Sequence, residues 1–297
     1  MGCSSSSASR SNVACVALGG EDGVDRVATS SLLRLGAKAW EPLPDMSTAR
    51  HGCCSLAAHG RVWALGGFNG QLSLRSTECL TLNKQPEWTT SQDMCVRRTG
   101  AVAAVLADRM WVAGGFDGEK VVRSIETYDP EAGKWTEICG LPSARMAAAS
   151  CVLPDGRWFI AGGFDGKQRL NTACVFDPET KQFETLPEMP GGPRMHASCG
   201  LARGQAVVAG GISGDGSFQS SVVAFDLDTK TWIEGPSLPH GRAHAAAIVH
   251  GDALVLMGGS DLRNYYDDVQ VVGAATATQW VPLLAPRSGL AATLIQL

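Results

Sequence analysis

The stretch RMWVAGG, residues 109–115, decides the fold, because versions of it recur along the whole chain. Each version is a short apolar run that ends in a Gly-Gly doublet. The doublets lie at residues 19–20, 66–67, 114–115, 162–163, 210–211 and 258–259, which are 47 or 48 residues apart. An apolar run closed by glycine is typical of a buried strand. A spacing this regular predicts one small β unit that is repeated six times.

Two other residue types keep the same spacing. An aromatic residue recurs as Trp40, Trp88, Trp135, Phe183, Trp232 and Trp280. An arginine recurs as Arg50, Arg98, Arg145, Arg194, Arg242 and Arg287. Turn signals such as Asp177-Pro178 fall between doublet and aromatic, and Asp ends strands by accepting local backbone hydrogen bonds. One unit is therefore predicted as four strands, A to D, at 146–153, 157–163, 172–177 and 182–186 in the fourth unit.

The combination of Gly-Gly, a later aromatic and a following arginine resembles the kelch repeat. The resemblance covers nearly the whole chain and implies an all-β fold, a six-bladed β-propeller of four-stranded blades. The shorter propeller repeat with a Gly-His and Trp-Asp signature fits less well, because no repeated Trp is followed by Asp here. The stretches after the arginines are rich in Ala, Gly, Ser and Cys, which predicts that strand A lies innermost, where the blades converge.

The chain begins in the middle of a blade. Residues 13–20 fit strand B with no strand A before them, and the matching strand A is predicted at 288–297. We therefore expect the C-terminal strand to close the ring and to remove its exposed edges. The predicted organisation is a leader at 1–12 and a single propeller at 13–297. Its blades are predicted at 13–46 plus 287–297, 50–94, 98–141, 145–189, 194–238 and 242–284.

Counting strand directions assigns the loops to two faces. The B–C and D–A loops share one face, called rim one, while the A–B and C–D turns and both termini share the other, called rim two. The opening residues MGCSSSS fit the motif for myristoylation at Gly2, and Cys3 is placed for palmitoylation. Two acyl chains anchor a protein stably, so we predict a cytoplasmic protein held at the cytosolic face of a membrane. The alternative is an unmodified Ser-rich leader.

Composition bears on the class of partner and on the role of the cysteines. The net charge is −4, and no basic run exceeds Arg97-Arg98, which argues against a nucleic-acid partner. The ten cysteines show no C-x-x-C spacing. They are predicted to be small buried hydrophobic residues in a reducing compartment, with disulfides or a metal site as the alternative. We predict a monomer with no cofactor and no metal.

Rim one is the predicted binding face, since the kelch resemblance implies a protein partner there. The predicted partner-binding residues are Arg26, Asn69, Arg75, Asp117, Arg123, Asp165, Arg169, Arg263, Asn264, Tyr265 and Tyr266. Loop arginines suit bidentate contacts with an acidic peptide, and tyrosines suit interface anchors. The alternative for the Asn-Gly and Asp-Gly pairs is a purely turn-forming role.

The channel mouth is predicted to hold Arg50, His51, Arg98, Arg145, Arg194, His196, Arg242, His244 and Arg287. Because an arginine recurs in every blade, we favour a role in tying adjacent blades together over a role in selecting a ligand. Three histidines suggest a metal site. However, His51 follows its arginine by one residue and the other two by two, so we predict that they face alternate directions and hold no metal.

These features predict a non-catalytic protein-interaction module. One alternative is the substrate-recognition subunit of a ubiquitin ligase, although no BTB, BACK or F-box region precedes the repeats. Another is a sugar isomerase that acts in the channel, although the channel strands are rich in Ala and no paired carboxylates are evident.

Overall fold

The computed structural model describes residues 12–261, 263–273 and 280–297. Every regular element within these residues is a β-strand, and the strands form antiparallel sheets arranged as six blades. The prediction of an all-β, six-bladed propeller is therefore confirmed. Among the described residues no helix is long and apolar enough to cross a membrane.

The strands follow the blades in chain order. Blade 1 contains β1 (Val13–Leu18), β2 (Ser30–Arg34) and β3 (Glu41–Leu43). Blade 2 contains β4 (Cys54–Ala58), β5 (Arg61–Leu65), β6 (Thr77–Thr81) and β7 (Glu87–Ser91). Blade 3 contains β8 (Val102–Leu106), β9 (Arg109–Ala113), β10 (Ser124–Asp129) and β11 (Lys134–Gly140). Blade 4 contains β12 (Ala149–Val152), β13 (Trp158–Ala161), β14 (Ala173–Phe176) and β15 (Phe183–Leu186).

Blade 5 begins with the short β16 (Arg194–Met195) and continues with β17 (Ser198–Ala202), β18 (Gln205–Ala209), β19 (Ile212–Ser213), β20 (Val222–Asp226) and β21 (Thr231–Gly235). Blade 6 contains β22 (Ala246–His250), β23 (Ala253–Met257) and β24 (Val269–Gly273), and the last strand is β25 (Ala291–Gln296). In blade 4 all four predicted strands are present, and each is shorter than its predicted range.

The ring closes through the two ends of the chain. Strand β25 pairs antiparallel with β1, from Val13 opposite Gln296 to Leu18 opposite Ala291, and completes a four-stranded sheet with β2 and β3. The N–H of Leu297 donates to the carbonyl of Asn12 at 2.6 Å. The predicted closure is therefore confirmed, and the two described ends of the chain lie side by side at rim two.

The A strands form the inner wall. Strands β25, β4, β8, β12, β17 and β22 contact one another in that order around the axis. Apolar clusters fill the spaces between adjacent blades, as where Phe159 of blade 4 packs with Val208 and Phe225 of blade 5. Small residues are needed in the A strands because six sheets converge there.

The described residues of blade 6 form three strands, and part of the predicted fourth strand lies outside the described residues. The predicted fourth strand carries Trp280, which lies outside any strand, and residues 274–279 lie outside the described residues. Pro282 has no N–H to donate to a sheet, which disfavours strand pairing after Trp280. The segment still returns to the blade, since the Leu283 N–H donates to the Asp267 carbonyl at 2.8 Å.

The Gly-Gly doublets lie where neighbouring blades touch. Gly114 has a φ of +66°, and a Cβ at this position would overlap the carbonyl oxygen of Arg145. The N–H of Gly115 donates to that same carbonyl at 2.9 Å. Each doublet thus lets the next blade's backbone approach closely, as only glycine permits.

Candidate functional site

The six repeated arginines connect blades. Arg98 is almost wholly buried; its Nη1 donates to the carbonyls of Gly114 at 2.6 Å and Ser124 at 2.9 Å. Its own carbonyl accepts the N–H of Gly67, in the preceding blade, at 2.8 Å. The same side-chain bond to the first glycine of the doublet is made by Arg50, Arg145, Arg194 and Arg242.

The prediction that these arginines present their side chains at the channel mouth is therefore wrong. Their guanidinium groups point into the body of the blade, because each is needed to satisfy carbonyls that the doublet leaves unpaired. Arg287 is buried as well, and its carbonyl accepts the Gly259 N–H at 2.7 Å. The favoured role, a tie between adjacent blades, describes all six through their carbonyl groups.

The charges of these arginines are balanced differently from blade to blade. Arg50 pairs with Glu78 at 2.6 Å, Arg98 with Glu126 at 2.8 Å and Arg242 with Asp268 at 2.8 Å. Arg145 and Arg194 donate to hydroxyl and carbonyl oxygens instead. Burial lowers the pKa of both of these arginines.

A ring of six backbone hydrogen bonds surrounds the axis at rim one. In it, Gly100 donates to Gly52, Ala147 to Gly100, His196 to Ala147, His244 to His196, Gly289 to His244 and Gly52 to Gly289, at 2.6 to 3.2 Å. All six residues have a left-handed φ between +53° and +63°. Each lies two residues after its arginine, so the blades are joined edge to edge around the channel.

A cavity of about 310 Å³ lies inside this ring, lined by His51, His196 and His244 together with Met146 and small residues. The rings of His196 and His244 are in contact, with their centroids 3.7 Å apart and their planes tilted by 32°. The prediction that the three histidines face alternate directions is wrong. The residue two positions after each arginine has a left-handed φ, and this breaks the alternation of side chains that a strand would have. The described residues contain no group of side chains suited to a metal ion.

The three imidazoles are held neutral at pH 7. Burial lowers the pKa of His51 and His196, and it lowers that of His244 from 6.5 to about 4. The Nδ1 atoms of His51 and His244 are buried and have no hydrogen-bond partner among the described residues. The cavity therefore offers neutral hydrogen-bonding groups rather than charge.

The predicted loop residues Asn69, Asp117 and Asp165 are occupied by their own turns. In each case Oδ1 accepts the backbone N–H groups two and three residues later, at 2.7 to 3.0 Å. The bonds from Gln168 and Lys167 lower the pKa of Asp165. The turn-forming alternative is therefore right for these oxygens.

Several of the predicted binding groups also have partners within the protein. Arg26 lies over the Phe68 ring at 5.6 Å, Arg75 pairs with Asp93 at 3.1 Å, and Arg169 donates to the Gly214 carbonyl at 3.2 Å. The Tyr265 hydroxyl donates to Glu21 at 3.3 Å; the Tyr266 hydroxyl and the Asn264 amide both donate to Asp261. The exposed guanidinium groups of Arg123 and Arg263 make no hydrogen bond or ion pair to any described residue.

One groove of rim one was not predicted. It is a groove of about 590 Å³ between blades 2 and 3. Its lining combines the apolar side chains of Phe68, Leu72, Val96 and Phe116 with the charged side chains of Arg75, Arg97, Asp117 and Glu119. The sequence does hold a signal for it: the residue before the repeated arginine is charged only in Arg97, and is Ala, Pro or Gly in the other repeats.

Family models match the centre of the chain. The one described as the KLHDC2/KLHL20/DRC7 Kelch-repeats domain matches residues 83–194, and the one described as the Kelch motif matches residues 193–239. The chain belongs to the kelch-repeat family. Kelch propeller domains are commonly protein-interaction modules, and the family is typically non-enzymatic.

Comparison with solved structures agrees on the fold of this kelch propeller. A structure titled "Structure of YjhT" superposes with a TM-score of 0.74 at 14% sequence identity, covering 86% of this chain and 97% of that one. At that identity the likeness concerns the fold alone. No curated protein matches the chain significantly.

Proposed function

We propose that this kelch propeller is a non-catalytic interaction module that binds a segment of a partner protein in the rim-one groove between blades 2 and 3. The observation that supports this is the lining of the groove. Phe68 and Phe116 form an apolar floor, Leu72 is 39% exposed, and Arg97 is exposed at the margin. Apolar anchors bordered by arginine are typical of the energetically important part of an interface.

The partner segment that suits this face is acidic. Arg97 lines the groove, while Arg123 and Arg263 are exposed on rim one without a partner among the described residues. Arg75 is held by Asp93 only at the exposed surface, so a partner carboxylate can replace that contact at little cost. Asp117 remains a carboxylate within its turn, so the charge that favours an acidic segment comes from these arginines.

The test uses Leu72→Asp and Arg97→Ala, with Lys84→Ala as the matched control. Lys84 is exposed in the C–D turn of the same blade 2, at rim two. Partners are captured by cross-linking in cells that express the protein, and binding of the purified partner segment is then measured directly. We expect each groove variant to weaken binding about tenfold or more, as truncation of an interface hot spot does, and Lys84→Ala to bind normally. Equal binding by all three variants would refute the proposal that the partner binds in the groove.

A ubiquitin-ligase role is one form of this interaction function, and ligase subunits among the captured proteins would identify it. The sugar-isomerase alternative rests on the channel-mouth cavity, whose 310 Å³ is close to the size of small-ligand pockets. If it holds, the purified protein accelerates the mutarotation of a monosaccharide, and His244→Asn abolishes the acceleration while partner binding persists.

We also propose that the protein is tethered to a membrane by acyl chains on Gly2 and Cys3, which lie outside the described residues. Asn12 lies beside Leu297 at rim two, so an anchor on the preceding leader would keep rim one turned toward the cytosol. Intact mass of the protein from its native cells is expected to show both acyl groups. Gly2→Ala should move the protein to the soluble fraction, and Cys3→Ser should leave weak, reversible binding. An unmodified N-terminus would refute the tether.

A further inference from the structure

Two cysteines lie on neighbouring inner strands. Cys151 is on β12 of blade 4 and Cys199 is on β17 of blade 5, and these two strands are in contact. Both thiols are free and only partly buried. Both side chains pack against the same apolar cluster, the one that fills the space between blades 4 and 5.

The faces of the two strands on which the cysteines lie direct the two thiols toward each other. On β17 the residues on either side of Cys199 face blade 6: the Ser198 hydroxyl donates to the Ala245 carbonyl at 3.1 Å, and a Cβ on Gly200 would overlap Val249. Because side chains alternate along a strand, Cys199 points the other way, toward blade 4.

The Cys151 side chain points from blade 4 toward Cys199 of blade 5. It shares its face of β12 with Ala149, a member of the cluster that joins the two blades. The two cysteines also lie at similar distances from rim one. The His196 N–H donates to the Ala147 carbonyl at 2.8 Å and sets the two inner strands side by side. Burial and, next, a hydrogen bond with the Cys151 thiol raise the pKa of Cys199.

We propose that Cys151 and Cys199 form an oxidisable pair that closes to a disulfide in the presence of a peroxide. One thiol attacks the peroxide, so that an S–O bond forms, the O–O bond breaks and the first water is released. The second thiol then attacks that sulfur, so that the S–S bond forms, the S–O bond breaks and a second water leaves. The two thiols are oxidised, and the peroxide is reduced to two molecules of water.

The disulfide would join blades 4 and 5 at the channel wall. It would connect positions one repeat apart, so that it constrains the unfolded chain as well as the blade interface. The neighbouring cysteines Cys53 and Cys54 lack this arrangement. Cys53 and Cys54 are adjacent in sequence but point into different clusters, on opposite faces of blade 2.

The experiment treats the reduced full-length protein with hydrogen peroxide, traps the remaining thiols under denaturing conditions and measures intact mass and linked peptides. We expect the loss of two hydrogens, a reductant-sensitive peptide pair containing Cys151 and Cys199, and a higher melting temperature. Cys151→Ala and Cys199→Ala should each abolish all three results, and alanine suits these strands, which already contain it. The control Cys95→Ala alters an exposed cysteine in another blade and should leave them unchanged.

Either of two results would overturn the proposal. Both thiols could remain alkylatable after peroxide treatment that oxidises Cys95, or one of them could be found linked to a different cysteine. Because the alanine variants are checked for an unchanged melting temperature in the reduced state, a folding defect is distinguished from loss of the disulfide.

Discussion

At the scale of single residues, the repeated arginine makes two kinds of hydrogen bond, one through its backbone and one through its side chain. Its carbonyl accepts a bond from the previous blade, and its guanidinium satisfies carbonyls within its own blade. A buried guanidinium needs hydrogen bonds and a counter-charge, since desolvation of a charge is expensive. Blades 2 and 3 supply a buried glutamate, whereas blade 4 has Cys174 at the position of Glu126 in its repeat.

Glu126→Gln should therefore destabilise the protein substantially. Glu126 is fully buried and accepts bonds from Arg98, from the Cys95 N–H and from the Val96 N–H. Removal of its charge leaves the guanidinium without a counter-charge, at a cost of roughly 3–5 kcal/mol in the free energy of unfolding. Urea denaturation measures the change. The control is Asp93→Asn, at an exposed pair with Arg75, which should change stability by less than about 1 kcal/mol.

The buried histidines of the channel mouth should make stability depend on pH. The pKa of His244 is lowered from 6.5 to about 4 on folding, so between these values the unfolded chain binds more protons than the folded one. The free energy of unfolding therefore falls as pH decreases through this window. His244→Asn, which tolerates a left-handed φ, should flatten the dependence. His59→Asn alters an exposed histidine with a similar φ of 52° and should leave the slope intact. Equal slopes in all three proteins would contradict the assignment.

At the scale of the elements, the Gly-Gly doublet ends a strand and receives the next blade. Both glycines of every doublet have a positive φ. The first lacks room for a side chain, and the second donates to the arginine carbonyl of the next blade. The doublet is thus a fixed contact between blades rather than a flexible hinge.

Gly114→Ala and Gly118→Ala separate the two reasons for glycine. Both positions have a positive φ, which costs a residue with a Cβ about 1–2 kcal/mol. Only Gly114 also faces the Arg145 carbonyl, whereas a Cβ on Gly118 has nothing within 4 Å. We expect the larger loss of melting temperature, and loss of cooperative unfolding, for Gly114→Ala. Comparable losses for both variants would show that strain, not contact between blades, explains the doublet.

At the scale of the whole molecule, stability depends on a closed ring. Strand β25 provides the inner strand of blade 1, and the ring of backbone bonds at rim one passes through Gly289. An open propeller would leave β1 with a free edge and blade 6 without its neighbour. Closure therefore links the last residues of the chain to the first ones energetically.

Removal of residues 291–297 should prevent formation of the closed propeller. The deletion takes away the six-residue pairing with β1 and exposes the edge of a buried strand, which favours aggregation. We expect most of the protein to be insoluble, with no cooperative thermal transition in the remainder, as measured by sedimentation and circular dichroism. Deletion of the exposed Leu297 alone is the control, and it should fold. A soluble, cooperatively folding deletion would contradict the closure argument.

The fold could be predicted from sequence because it depends on periodic residues. The spacing of doublets such as Gly114-Gly115 gave the number of blades, and the unmatched strand at 13–20 gave the closure by 288–297. The candidate site could be predicted only in part. Which loops share rim one was predictable from strand directions, yet the prediction for Arg98 was wrong about its side chain, and the groove beside Arg97 was missed.

The sequence by itself determined the repeated architecture, because each blade needs the same glycines, aromatic and arginine to satisfy the same backbone groups. Only the tertiary structure decided which polar groups remain free for a ligand. The Arg98 side chain is buried within its blade, whereas the Arg97 side chain is exposed, although the two residues are adjacent in the chain. The physical reason is that the availability of a side chain depends on neighbours supplied by other strands and blades, and those neighbours follow no period that a single sequence reveals.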